Sequence, residues 1–102
     1  VTTYAALRRS GAHSGQWVAI LGAGGGLGHI AVQLAARGMA FRVIGVDADS
    51  KRDIVMESGA EAFVGLGEGN VVERVKEITG GLGAHAVLVL TAANAAYASA
   101  VV

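Results

Sequence analysis

Leu21-Gly22-Ala23-Gly24-Gly25-Gly26-Leu27-Gly28 is the stretch on which the reading of this chain turns. An apolar run, Trp17-Val18-Ala19-Ile20-Leu21, precedes it and reads as a buried strand. Ile30-Ala31-Val32-Gln33-Leu34-Ala35-Ala36-Arg37 follows it and reads as a helix. Strand, glycine turn and helix form the setting in which a dinucleotide pyrophosphate is held. Glycines let the chain turn tightly and let backbone N–H groups reach phosphate oxygens with no Cβ in the way. The helix N-terminus adds unpaired donors and a partial positive charge. A strict G-x-G-x-x-A match begins late, at Gly26; Gly22, Gly25, Gly26 and Gly28 fit the strand end better.

The next apolar run, Phe41-Arg42-Val43-Ile44-Gly45-Val46, ends in Asp47. An acid at the end of the second strand accepts hydrogen bonds from adenosine ribose hydroxyls and repels a 2′-phosphate. Asp47 therefore points to NAD rather than NADP.

The chain has 102 residues, enough for one small domain with a core. Formal net charge is zero and no basic stripe is present, which argues against nucleic acid as a partner. No apolar run approaches the roughly 20 residues of a membrane span. Cysteine is absent, which excludes disulfides within the chain and fits a cytoplasmic setting. The chain begins at Val1 without methionine and ends at Val102 in an apolar stretch, so we expect a piece of a longer protein.

Taken in order, Thr2 to Arg9 reads as the end of a helix and Ser10 to Gln16 as a polar turn. Strand one spans Trp17 to Leu21. The first helix spans Gly26 to Arg37, with Gly38 as its C-terminal cap. Strand two covers Phe41 to Val46. Ser50 reads as the N-cap of a second helix, with Asp53 in a capping-box-like position. Gly59 ends that helix. Ala62 to Val64 forms a short edge strand and Gly65 to Gly69 a loop. Asn70 with Glu73 opens a helix running to Thr79. Gly80-Gly81-Leu82-Gly83 breaks the chain. Ala86 to Leu90 is a buried strand, and Ala92 to Ala100 reads as an alanine-rich helix. The alternation predicts an α/β fold, a doubly wound parallel sheet truncated to about four strands in the order 3-2-1-4. Strand four would then be an open apolar edge through which the chain could self-associate.

Several of these segments resemble one family. The chain is similar to the cofactor-binding, Rossmann-like domain of zinc-dependent alcohol dehydrogenases of the medium-chain dehydrogenase/reductase superfamily, the yeast and microbial type. Thr2-Thr3-Tyr4-Ala5-Ala6-Leu7 resembles its T-x-Y-x-A-L segment. Gly15-Gln16-Trp17-Val18-Ala19-Ile20 resembles G-x-W-V-A-I. Gly22 to Gly28 differs at one position from G-A-A-G-G-L-G. Glu57-Ser58-Gly59-Ala60-Glu61 and Gly83-Ala84-His85 resemble further family segments.

The resemblance implies that Gly25, Gly26 and Leu27 line the pyrophosphate turn and that Asp47 binds the adenosine ribose. Arg52 falls where the family has a ribose-contacting lysine, with Lys51 beside it as the alternative. Thr2, Thr91 and Ala92 fall near the nicotinamide end. Zinc, the proton relay and most of the substrate pocket belong to a catalytic domain outside these 102 residues. His13, His29 and His85 are not spaced as convergent metal ligands, and Glu57, Glu61, Glu73 and Glu77 read as solvated. The expectation is therefore one partial dinucleotide-binding domain over 1–102, without catalytic residues of its own. Its parent would transfer hydride between a small alcohol or aldehyde and NAD, with zinc in the parent only. A stand-alone nucleotide-binding or interaction module, or a fragment of a zinc-free quinone or enoyl reductase, is the alternative.

Overall fold

Hydrophobic alternation places residues on both faces of one sheet. The computed structural model describes residues 13, 15–68, 70–90 and 95–99. The expected helix of residues 2–9, and Thr2, Thr91 and Ala92, lie outside the described residues.

The strands are β1 (Trp17–Leu21), β2 (Arg42–Asp47), β3 (Ala62–Gly65), β4 (Ala86–Leu90) and β5 (Ala95–Ser99). The helices are α1 (Gly26–Gln33), α2 (Arg52–Glu57) and α3 (Val71–Ile78). The sheet order is β3-β2-β1-β4-β5. The first four strands are parallel, with Trp17 paired to Arg42, Val18 to Ala86 and Ile44 to Ala62. The predicted 3-2-1-4 arrangement is therefore present.

β1 and β2 each feed both faces. Val18, Ile20 and Val43 pack with Ala31, Val32, Val55 and Leu88 on the face covered by α1 and α2. Ala19, Ile44 and Val46 pack with Val64, Val75 and Ala84 on the α3 face. Strands buried on both faces explain the near-continuous apolar runs in the sequence. The C-terminal ends of the parallel strands lie at one edge of the sheet, and the glycine turn and Asp47 emerge there together.

Three expectations need correction. The segment read as an alanine-rich helix forms β5 over Ala95–Ser99, antiparallel to β4, with Leu90 opposite Ala95 and Ala86 opposite Ser99. Alanine favours helix only weakly, by tenths of a kcal/mol per residue over ordinary residues. A strand edge, in contrast, presents a row of backbone donors and acceptors that need partners. β4 is consequently not an open edge, and self-association through it has no unpaired strand to use.

The end of the first helix also differs. After α1 the chain widens into a π-helical turn over Leu34–Gly38. Met39 N–H donates to Leu34 O at 3.0 Å and Phe41 N–H to Ala35 O at 2.9 Å. The extra residue carries the left-handed position past Gly38 to Ala40, at φ 57°. Ser50, thirdly, caps nothing: it lies in a short 3-10 turn, Asp49–Lys51, and no side chain caps α2. The reading of Asn70 holds, its Oδ1 accepting from Glu73 N–H at 3.2 Å as the N-cap of α3.

Candidate functional site

The glycine turn is tied to the neighbouring strand before it is tied to anything else. Gly22 N–H and Ala23 N–H both donate to Val46 O, at 2.8 and 3.3 Å. Gly22 takes φ 79°, a conformation that side chains disfavour. Gly25 N–H closes the turn on Gly22 O at 3.2 Å. A Cβ on Gly28 would run into that same Gly22 oxygen and into the Ala23 backbone, so the first turn of α1 packs directly on the glycine turn.

Gly25 and Gly26 differ from these. Among the described residues, a Cβ on Gly26 would meet nothing within 4 Å, and one on Gly25 would meet only Gly22 O at 3.6 Å. Both residues are exposed. The packing of the described residues does not require glycine at either position. Gly25 is the N-cap of α1 and has no side chain to offer, and the first turn contains no acid. Helix geometry leaves the N–H groups of Gly26, Leu27 and Gly28 without intrahelical acceptors. Open space in front of uncapped donors is suited to an anionic group. The residue types present thus fit a pyrophosphate.

His29 N–H and His29 Nδ1 both lie on Gly25 O, at 3.0 and 2.9 Å. A carbonyl only accepts, so Nδ1 carries the proton in this contact. The ring fixes the Gly25 peptide at the mouth of the turn. Leu27 is 43% exposed beside it.

Asp47 stands opposite. Its Oδ2 accepts from Gly24 N–H and its Oδ1 from Ala48 N–H, each at 2.7 Å. The carboxylate is half-buried and retains lone pairs for a further donor. Gly24 is closely hemmed in: a Cβ there would lie 2.6 Å from Lys51 Cβ, 2.9 Å from Lys51 Cγ and 3.0 Å from Asp47 Oδ2. Lys51 therefore lies across the turn. Arg52 turns to β3, its guanidinium carbon 5.0 Å from the Phe63 ring centre. The structure brings Gly22, Gly25, Gly26, Leu27, Gly28, Asp47 and Lys51 together at one end of the sheet. It does not bring Arg52 into that group.

Sequence reasoning missed the bond from Gly24 to Asp47 and the seating of Lys51 on Gly24. Nothing in residue spacing announces either. Both depend on how closely the turn approaches the end of β2.

A second hollow, about 400 Å³, lies at the opposite end of the strands, lined in part by Gln16, Trp17, Arg42, Gly83 and His85. Arg42 covers the Trp17 ring at 4.0 Å and holds Glu61 through two bonds, Nε to Oε1 at 3.2 Å and Nη2 to Oε2 at 2.6 Å. Those bonds keep the Glu61 carboxyl below its usual range and raise Arg42 above its own. Among the described residues no three His, Cys, Asp or Glu side chains come together as metal ligands, so this set does not fit zinc.

A parallel 3-2-1-4 sheet with a glycine turn and a strand-end acid at its switch point defines a dinucleotide-binding type of α/β domain. The profile of the zinc-binding dehydrogenase family matches residues 26–102, and the chain belongs to that family. It is 55% identical over 96% of its length to alcohol dehydrogenase 2 of Emericella nidulans, of which it spans 29%. Among solved structures, Escherichia coli quinone oxidoreductase complexed with NADPH matches at TM-score 0.73 and 31% identity, covering 82% of this chain and 26% of that one. The alcohol dehydrogenase of the archaeon Aeropyrum pernix matches at TM-score 0.71 and 36% identity, covering 82% of this chain and 25% of that one.

Proposed function

We propose that this chain is the partial dinucleotide-binding domain, over 1–102, of an NAD-dependent alcohol dehydrogenase. The observation that carries the proposal is the open space in front of Gly25 and Gly26, with the uncapped donors of α1 behind it and Asp47 across from it. The pyrophosphate would lie on the N–H groups of Gly26, Leu27 and Gly28. The adenosine ribose would bond Asp47, whose orientation the Gly24 and Ala48 amides fix.

When bound, the nicotinamide supplies the hydride chemistry. This chain's residues bind and orient; none is proposed as catalytic. Thr2, Thr91 and Ala92 are proposed at the nicotinamide end on the family resemblance alone. Zinc and the pocket for a small alcohol or aldehyde belong to the rest of the parent, which we place in the cytoplasm. Among the described residues no helix is long and apolar enough to cross a membrane.

The quinone oxidoreductase likeness favours one alternative, a zinc-free reductase using NADPH. Asp47 weighs against it, because a carboxylate so positioned repels a 2′-phosphate. The E. nidulans relative, at 55% identity, weighs the same way. Titration of the protein with NADH and NADPH, followed by calorimetry, tests the reading. NADH should bind more tightly, and Asp47→Ser should narrow the gap. Equal affinities that Asp47→Ser leaves unchanged would refute the role of Asp47.

A further inference from the structure

The peptide between Gly25 and Gly26 has no side chain on either side, and its orientation decides what the turn presents to a ligand. Gly25 is extended, at φ −78° and ψ −179°. A trans peptide points its C=O and its N–H in opposite directions. The Gly25 oxygen is turned to α1, where it accepts from His29 N–H at 3.0 Å and from His29 Nδ1 at 2.9 Å. The Gly26 N–H therefore points the other way, out of the helix start, where helix geometry leaves it without an acceptor. We propose that His29 is a positioning residue for the pyrophosphate: its Nδ1–H bond locks the Gly25–Gly26 peptide with the N–H, not the carbonyl, facing the ligand. The inference rests on the reading of this turn as the dinucleotide site.

The conformational freedom of glycine is what makes a lock necessary. Turning this peptide over carries the φ of Gly26 from its helical value to a positive one, which glycine adopts at little cost. The inverted peptide would aim a carbonyl oxygen at a phosphate oxygen. Other N–H groups of the turn are held by different partners: Gly24 N–H by Asp47 Oδ2 at 2.7 Å and Gly25 N–H by Gly22 O at 3.2 Å. The Gly25–Gly26 peptide is held through its oxygen, and one of the two bonds there comes from the imidazole.

The backbone bond from His29 to Gly25 belongs to the first turn of α1, and helix ends fray. The ring supplies a second donor to the same carbonyl, which has two lone pairs to offer. Both donors sit on one residue, so inverting the peptide breaks both bonds together. The neutral ring makes its bond as the Nδ1–H tautomer, with Nε2 bare.

NADH and adenosine, which lacks the pyrophosphate, titrated by calorimetry into the intact protein and its variants, test the inference. His29→Leu should weaken NADH about three- to tenfold, as the loss of one hydrogen bond implies, and leave adenosine within about twofold of wild type. His29→Asn keeps an N–H donor on the atom next to Cγ, as Nδ1 is, and should hold NADH within about twofold of wild type. Nitrogen-15 spectra of the wild-type protein, recorded above the titration range of imidazole, should show the proton of His29 on Nδ1. Unchanged NADH affinity in His29→Leu, equal weakening of NADH and adenosine, or a His29 proton on Nε2 would each overturn the inference while leaving the site in place. Wild-type protein that binds neither NADH nor adenosine would overturn the site itself, and the inference with it.

Discussion

Asp47 joins two backbone segments as well as facing the space in front of the turn. Its bonds to Gly24 and Ala48 hold the turn against the end of β2. Its nature as an acid at a strand end was legible in the sequence. Its partner Gly24 was not, since a 23-residue separation says nothing about a 2.7 Å contact. Gly24, Gly25 and Gly26 look alike in sequence but meet different surroundings: Gly24 is filled by Lys51, while Gly26 faces open space. Ala40 carries a consequence for stability. At φ 57° it is a non-glycine residue in the left-handed region. Replacing it by glycine relieves about 1–2 kcal/mol of strain and adds about 0.4–1 kcal/mol of unfolded-state entropy to be lost. The two ranges leave a net stabilisation of about 0–1.6 kcal/mol for Ala40→Gly. A thermal melt checks this; a lowered midpoint would contradict the strain.

At the scale of elements, the parallel strands were legible because burial on both faces writes unbroken apolar runs into the sequence. β1 and β4 have the bounds expected of them. The α3 cap was legible because Asn70 bonds locally to Glu73. The residues that became β5 were not, because local alanine content favours helix while the edge of β4 demands a partner that only tertiary structure supplies. The π-turn at Leu34–Gly38 was hidden for a similar reason: one extra residue per turn leaves no compositional trace. The Arg42–Glu61 pair joins the start of β2 to the residue before β3. Arg42 holds the Glu61 carboxyl below its ordinary value, chiefly by hydrogen bonding. A carboxylate whose pKa is lowered by folding contributes stability above its unfolded value, and that contribution is lost as pH falls through the folded value. Both side chains are exposed, so the contribution is small. Urea midpoints of wild type and Glu61→Gln should differ slightly at pH 7 and converge at acid pH below the ordinary glutamate range. A gap that widens on acidification would contradict the sign.

Across the whole molecule, the sheet has two unlike ends. At the carboxyl ends of the parallel strands, a glycine turn, a helix N-terminus and a fixed carboxylate surround open space. At the amino ends, Arg42 stacks on Trp17 and neutralises Glu61 beside the second hollow. The doubly wound topology explains the asymmetry, since connections reverse direction beside β1 and leave a crevice at the carboxyl edge. The chain spans 29% of the length of its Emericella relative. The proposed function accordingly asks these residues only to bind and orient a dinucleotide.

The central claim is that Gly25 and Gly26 are glycine for the sake of a ligand and not for the fold. The most direct test is the NADH dissociation constant of Gly26→Val, measured beside its melting temperature. The account predicts near wild-type melting, because a Cβ there meets no atom of the described residues within 4 Å, together with a loss of NADH affinity of roughly tenfold or more, because the branched side chain fills the space that the pyrophosphate needs. Unchanged NADH affinity in a folded Gly26→Val protein would contradict the assignment of this turn as the cofactor site.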